Sequence, residues 1–204
     1  EGGPNAGEKR LIDFLKERLP DNYYIVPNGE YAIKSPQGMV NYWEYDCIVV
    51  APHAIYHIEN KDWGGALIGD DFAWFINGVE RKNPYKGATL KSKLLAGKLG
   101  SKNPDWRKAR VFTVITLSNP TQSKFGLDPH CDCYDQVFQL NNILVEFLKD
   151  HEKANKAPDY IAAYQKDIVE YLSGESSVKQ MSKKTEILNY KILETLQKTE
   201  TFTE

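Results

Sequence analysis

No apolar run among these 204 residues approaches the roughly 20 consecutive positions a helix needs to cross a bilayer, so the sequence predicts no membrane-spanning segment. A basic-then-apolar leader is absent as well. The chain opens Glu1, Gly2, Gly3 without a methionine and reads as an excised fragment rather than a processed secreted protein. Cysteine is scarce: three residues, an odd number, argue against a disulfide framework and fit a reducing compartment, so the expected location is cytoplasmic. Two of the three stand in the run His130, Cys131, Asp132, Cys133, which invites a metal reading. Structural zinc usually draws its four ligands from two separated pairs, and the second pair is missing, so this run reads as a loop with two free thiols. There is no internal repeat, and a net charge of −2 excludes a uniformly basic surface.

What is present is a charge distribution hidden by that sum. Residues 1–80 carry 6 basic and 13 acidic side chains, whereas residues 81–110 carry 10 basic and 1 acidic. A basic block on one element is what phosphate binding requires, because neutralised phosphates release counterions and supply most sequence-independent affinity. On its own such a run is equally a solvated lysine face. A length of 204 residues, with 41% hydrophobic and 26% charged side chains, suits one globular domain with a small appendage.

Hydrophobic spacing defines the elements. Leu11, Ile12, Leu15 and Leu19 recur at helical intervals before Pro20 and Asp21 stop the pattern. Tyr23 to Val26 reads as a short strand and Tyr31 to Ile33 as a second piece, separated by turn residues. Tyr42 to Val50 and Ile55 to Lys61 read as a β-hairpin closing near Pro52, and Ala66 to Ile68 with Phe72 to Ile76 as another. Asn83 and Pro84 predict an N-cap and first helical residue, opening a helix to about Leu99 with Leu90, Leu94 and Leu95 as its buried stripe. Val111 to Leu117 reads as a buried strand, Gln136 to Leu140 as a short one, and Asn141 to Asp150 as a helix. Tyr160 to Leu172 and Thr185 to Leu196 carry helical patterns, with Ser173 to Ser177 as a linker. The fold class is therefore α/β.

Alternation of side chains along a strand puts Glu44 with Asp46, and Glu59 with Lys61, on shared faces. The hairpin turn brings position 46 opposite 59 or 60, so two carboxylates and a lysine converge at one end of a sheet. Like charges so placed drive one carboxyl toward protonation unless a cation intervenes. Two carboxylates and the Asn60 carbonyl make the hard-oxygen environment of Mg²⁺, and phosphodiester hydrolysis uses such an ion to offset charge at phosphorus and acidify the attacking water. Taken by spacing alone, the same residues also read as a cross-strand ion pair of about 0.2–1 kcal/mol. His53 and His57 read as structural, and Trp63, Trp74 and Trp106 as packing residues.

The ordered run Trp43, Glu44, Tyr45, Asp46, Cys47, Ile48, Val49, Val50, then Ala54 to Lys61, and on through Asp62, Trp63, Gly65, Gly69, Asp70, Trp74, Asn83 and Pro84, resembles the nuclease-related domain (NERD) family. The resemblance covers about residues 5–117. It implies membership of the PD-(D/E)XK nucleases and a restriction-endonuclease-like core of order αβββαβ, a mixed sheet flanked by helices, with a helical C-terminal extension. By position it makes Asp46 and Glu59 the metal ligands, Lys61 the catalytic lysine and Glu8 an additional acid, while Glu44 matches the acid before the aspartate. It implies Mg²⁺ or Mn²⁺ as cofactor and DNA as substrate. Many members place a glutamine three residues beyond the Asn-Pro pair, where this chain has Gly87. One helical turn further on the same face stands Lys91, which is expected to take that role, with Lys93 in reserve. Lys86, Lys93 and Lys98 are candidates for backbone phosphates.

Residues 186–204, above all Tyr190, Lys191, Ile192, Leu193 and Glu194, resemble the opening strand of a kinase-like small lobe, though Leu196 to Phe202 contain no glycine for a phosphate loop. A plain amphipathic helix is the alternative there. The expected division is a nuclease domain over 1–155, a helical extension or linker over 156–185 and a truncated kinase-like start over 186–204. The resemblance implies a nuclease module from a bacterial anti-phage protein that carries a kinase-like domain. Its rivals are a catalytically inactive DNA-binding module attached to such a kinase, and a regulatory domain that touches only protein.

Overall fold

Asn5 starts the first helix, α1 (Ala6–Arg18): its side-chain oxygen accepts the Glu8 N–H at 2.9 Å, and its amide donates to Glu8 Oε1 at 2.8 Å. The structure is a computed structural model and describes residues 5–34, 38–150 and 160–175, with only the backbone of 122–124 and 175. The second helical pattern at 185–196 and the kinase-like segment at 186–204 lie outside the described residues.

Five strands form the central sheet: β1 (Tyr24–Lys34), β2 (Val40–Val50), β3 (Ile55–Lys61), β7 (Val111–Leu117) and β9 (Val137–Gln139). They run in the order β1-β2-β3-β7-β9, antiparallel from β1 to β3 and parallel from β3 to β9. A second sheet holds β4 (Gly65–Gly69), β5 (Ala73–Ile76), β6 (Val79–Lys82) and β8 (Gln122–Leu127), in the order β6-β5-β4-β8. The parallel β3–β7 step requires a crossover, and the second sheet's hairpins with α2 (Tyr85–Lys102) supply it. This is the expected α/β core, with helix, three strands, helix and strand in sequence and the β4–β6 unit inserted.

The central sheet is buried on both faces. Leu95 and Leu99 of α2, Trp106, and Ile168, Val169 and Leu172 of α4 (Gln165–Glu175) pack against Tyr24, Val26, Tyr45, Ile48, Val50 and Ile55. On the other face, Leu11, Ile12 and Leu15 of α1 and Leu144, Val145 and Leu148 of α3 (Asn142–Lys149) pack against Ile25, Cys47, Val49, Tyr56 and Ile58. The helical extension is thus fastened to the sheet through α4. A third cluster joins Leu67, Trp74 and Ile76 of the second sheet to Ala88, Ile115, Leu117 and Val137.

Three expectations are corrected by the structure. The stripe of α2 is formed by Ala88, Ser92, Leu95 and Leu99, whereas Leu90 is 49% exposed. The two strand pieces near the start form one strand, β1, whose Pro27 is tolerated because β1 is an edge strand. Strict alternation also fails along β2, since Tyr45 and Ile48 pack on the same face while Cys47 and Val49 pack on the other. The break falls at Asp46. Across the β1–β2 ladder stands Asn28 at φ 50, in the left-handed region, between the register pairs Pro27↔Cys47 and Gly29↔Tyr45. Glu44 and Asp46 consequently do not share a face as regular pleating would demand.

Candidate functional site

β3 alternates regularly and sets the site. Ile55 packs toward α2 and α4, His57 bonds to Ser92 of α2, and Glu59 bonds to Lys91 of α2, while Tyr56 and Ile58 enter the opposite layer. The β2–β3 register Cys47↔Ile58 brings the next pair, Asp46 and Glu59, level with one another. The strand irregularity turns the Asp46 carboxylate toward the end of β3, where Oδ2 accepts the Asn60 N–H at 2.7 Å. Lys61 Nζ donates to Glu59 Oε1 and Lys91 Nζ to Glu59 Oε2, each at 2.8 Å. Four of the sequence-selected residues, Asp46, Glu59, Lys61 and Lys91, therefore meet in one cluster.

Its electrostatics are unequal. Burial, and then the neighbouring Glu59 charge, push the Asp46 carboxyl up to about 6, against the lowering effects of the Asn60 N–H, Lys61 and Lys91. Burial acts on Glu59 in the same sense, but Lys61 and Lys91 outweigh it and hold that carboxyl below its ordinary value. Burial also depresses His57 to about 4, with Glu59 opposing and Lys91 adding to the effect. His57 Nδ1 lies 3.0 Å from Ser92 Oγ, which bonds the Ala88 carbonyl at 3.1 Å and Thr113 Oγ1 at 2.7 Å. His57 Nε2 faces Glu59 Oε2 at 3.8 Å and is a buried atom without a hydrogen-bond partner. A neutral ring in such a position is a wall of the site. Tyr45, stacked edgewise on His57, donates its hydroxyl to the Lys91 carbonyl at 2.9 Å and fixes this turn of α2 over the carboxylates.

Neither His57 nor Tyr45 was selected from the sequence as a site residue. Alternation along β3 was the available signal for His57, two positions from Glu59; the break at Asp46 hid Tyr45.

Glu8 follows Gly7 on α1, which approaches the ends of β3 and β7. A Cβ on Gly7 would sit 2.8 Å from Asp62 Cβ and from Ser118 Oγ, so glycine permits α1 to approach the ends of β3 and β7 this closely. Arg10 Nε adds a bond to the Ser118 carbonyl at 2.9 Å and its guanidinium pairs with Asp62. Glu8 Oε1 accepts from Asn5 within this helix start.

The three candidate phosphate contacts separate. Lys86 stands 5.6 Å from the centre of the Phe72 ring, and with exposed Lys93 it lines a groove shared with Asp71, Tyr85, Thr89 and Asp132. Lys98 points elsewhere: Nζ donates to the Ala32 carbonyl at 3.1 Å and lies over Tyr171 at 5.4 Å, joining α2 to β1 and α4. A Cβ at Gly87 would meet nothing within 4 Å, so this position of α2 is open. His53 is buried and bonds the Tyr56 hydroxyl at 2.8 Å, while Trp74 and Trp106 are buried packing residues.

The carboxylate oxygens of Asp46 and Glu59 are hard donors of the kind a divalent cation takes, with those of Glu59 engaged by Lys61 and Lys91 in the absence of an ion. The test is Asp46 itself: a carboxyl whose ionisation is opposed by burial and by Glu59 is one that a cation would restore. Asp46 and Glu59 could hold such an ion, with the Asn60 carbonyl between Glu59 and Lys61 in sequence.

Residues 4–118 match the family described as nuclease-related domain, NERD. Over 149 residues the chain is 27% identical to a Streptomyces coelicolor protein named "Probable kinase PglW", an alignment that covers 70% of this chain and 9% of that protein. The chain thus spans less than a tenth of that relative's length. No solved structure matches the chain at a significant level. With more than half of the chain matched, including β2, β3 and α2 and every residue of the carboxylate and lysine cluster, the protein belongs to the nuclease-related domain family.

Proposed function

We propose that this chain is a metal-dependent nuclease module of PD-(D/E)XK type that hydrolyses DNA phosphodiester bonds, in the setting of bacterial anti-phage defence. The observation that carries the reading is the convergence of Asp46, Glu59, Lys61 and Lys91 at the end of β3, from two strands and one helix. Asp46 and Glu59 would hold Mg²⁺ or Mn²⁺, which when bound offsets negative charge growing at phosphorus and acidifies the attacking water.

The chain's own groups supply the rest. Lys61 Nζ, already within hydrogen-bond reach of a carboxylate, orients the attacking water; Lys91 Nζ donates to a non-bridging oxygen of the scissile phosphate. Water oxygen bonds to phosphorus and its proton passes to solvent, while the phosphorus–oxygen bond to the sugar breaks and the departing sugar oxygen takes a proton from solvent. Tyr45 positions Lys91 through its backbone carbonyl, and Glu8 fixes a water at the α1 edge. Lys86 and Lys93 hold backbone phosphates beside the site. The proposed division remains a nuclease domain over 1–155, a helical extension over 156–185 and a kinase-like start over 186–204; the kinase name of the Streptomyces relative supports a kinase-like domain in the same full-length protein.

Plasmid cleavage with Mg²⁺ or Mn²⁺ tests this reading, and loss is expected in both Asp46→Ala and Lys61→Ala. Cleavage that survives in both variants overturns it. One observation favours a second reading, a DNA-holding module without catalysis: both Glu59 oxygens are engaged by ammonium groups, so that carboxylate is neutralised without a metal. That module binds DNA in a salt-sensitive way and cleaves nothing with either metal.

A further inference from the structure

A second group of metal-binding side chains converges away from the carboxylate cluster. The segment after β8 returns along the second sheet, with the Asp128 N–H bonded to the Gly69 carbonyl at 2.8 Å and the Cys131 N–H to the Asp128 carbonyl at 3.0 Å. Successive turns bond Tyr134 N–H to the Cys131 carbonyl and Gln136 N–H to the Cys133 carbonyl. The Asp132 N–H donates to Asp71 Oδ1 at 2.9 Å, tying this loop to the turn between β4 and β5. The result places a carboxylate oxygen of Asp71 and the sulfurs of Cys131 and Cys133 within 4.8 Å of one another. Cys131 is 7% exposed and Cys133 fully buried, and both are free thiols.

We infer that Asp71, Cys131 and Cys133 form a site for a thiophilic divalent cation, Zn²⁺ above all, which fastens the 128–136 loop to the β4–β5 turn. The missing second pair of the His130-Cys131-Asp132-Cys133 run is answered in part from sixty residues upstream, by a residue type the spacing of that run did not suggest. Two thiolates and a carboxylate suit zinc, whereas Mg²⁺ and Mn²⁺ prefer oxygen donors, so this site and the carboxylate cluster select different ions. Three protein ligands leave the fourth tetrahedral position to water.

Burial, reinforced by the adjacent Cys131, raises the Cys133 thiol well above its ordinary range, and ligation takes the thiolate form. The sulfurs, 2.8 Å apart as free thiols, must open to about 3.8 Å, the separation that two zinc–sulfur bonds impose on a tetrahedron. A filled site would stiffen one wall of the groove in which Asp71 and Asp132 face Lys86 and Lys93.

The test uses the full chain, reduced and stripped with a chelator, then titrated with Co²⁺ and afterwards with Zn²⁺. A thiolate-to-cobalt charge-transfer band saturating at one equivalent and abolished by Zn²⁺ is the expected result. Cys131→Ser should remove the band. Asp71→Asn, at a partly exposed position where folding is safe and the bond from Asp132 can persist, should weaken Co²⁺ binding at least tenfold. In the unaltered chain, Zn²⁺ should also slow alkylation of Cys131 and Cys133. Absence of the band, its persistence in Cys131→Ser, unchanged affinity in Asp71→Asn, or alkylation at equal rates with and without Zn²⁺ each overturns the assignment.

Discussion

Replacing Asp46 by Asn, in the absence of metal, should make the protein more stable at neutral pH than the unaltered chain. In the folded state the Asp46 carboxyl is raised from 3.8 to about 6 by burial and by Glu59. The folded state therefore holds its proton where the unfolded chain has released it, and stability falls as pH rises through this window, from the unfolded value to the folded one. That interval corresponds to at most about 3 kcal/mol, a large fraction of the roughly 5–15 kcal/mol that stabilises a typical domain. Below the lower value the contribution is fully present; above about 6 it is lost. Asparagine keeps an oxygen to accept the Asn60 N–H and has no charge to lose.

The assay is urea unfolding of both proteins in chelator at matched pH values from about 4 to about 8, since the difference between the two curves cancels every other titrating group. The difference should widen steadily toward neutral pH and then level off. Parallel curves would refute the reasoning, because they would mean that Asp46 ionises in the fold as readily as in the unfolded chain.

Three further outcomes follow from particular contacts. Lys91→Met should raise the Glu59 carboxyl pKa, read by carbon NMR titration in chelator, since Lys91 is one of the two cations that hold it down against burial; stability conferred by that depressed value would then fade at a higher pH as the solution is acidified. Gly87→Ala should stabilise the protein by about 0.5–1 kcal/mol in thermal or urea unfolding, because the added Cβ meets nothing and helix α2 loses a glycine. Charge reversal at Lys86 or Lys93 should weaken DNA binding and flatten its salt dependence, as read by fluorescence anisotropy, whereas reversal at Lys98 should chiefly lower stability, because that ammonium bonds Ala32 and covers Tyr171.

The parts of the fold that were legible in the sequence are those where a periodic apolar pattern coincides with a buried face. Leu11, Ile12, Leu15 and Leu19 are all buried as their spacing implies, and β3 and β7 read as strands over the residues they occupy. In α2 the pattern misled because Ser92, a polar residue, lies in the buried seam and is satisfied there by His57, Thr113 and Ala88, while the apolar Leu90 faces outward. Strand β6 escaped notice because all four of its residues are exposed and carry no alternation. Among the described residues β8 pairs only with β4, in parallel, and it begins just beyond Asn119 and Pro120. The ordered motif singled out Asp46, Glu59 and Lys61, and helical spacing from Gly87 singled out Lys91, the four residues that meet in the cluster. The Asp46 irregularity was invisible, because a strand that breaks its alternation looks in sequence like one that keeps it.

The proposed function requires Asp46 and Glu59 together to hold a divalent cation. Crystals grown with Mn²⁺ and measured for anomalous scattering should show one ion bound by both carboxylates, with at least one of Lys61 and Lys91 displaced from Glu59. Diffraction showing no ion there, with both ammonium groups still bonded to Glu59, would contradict it.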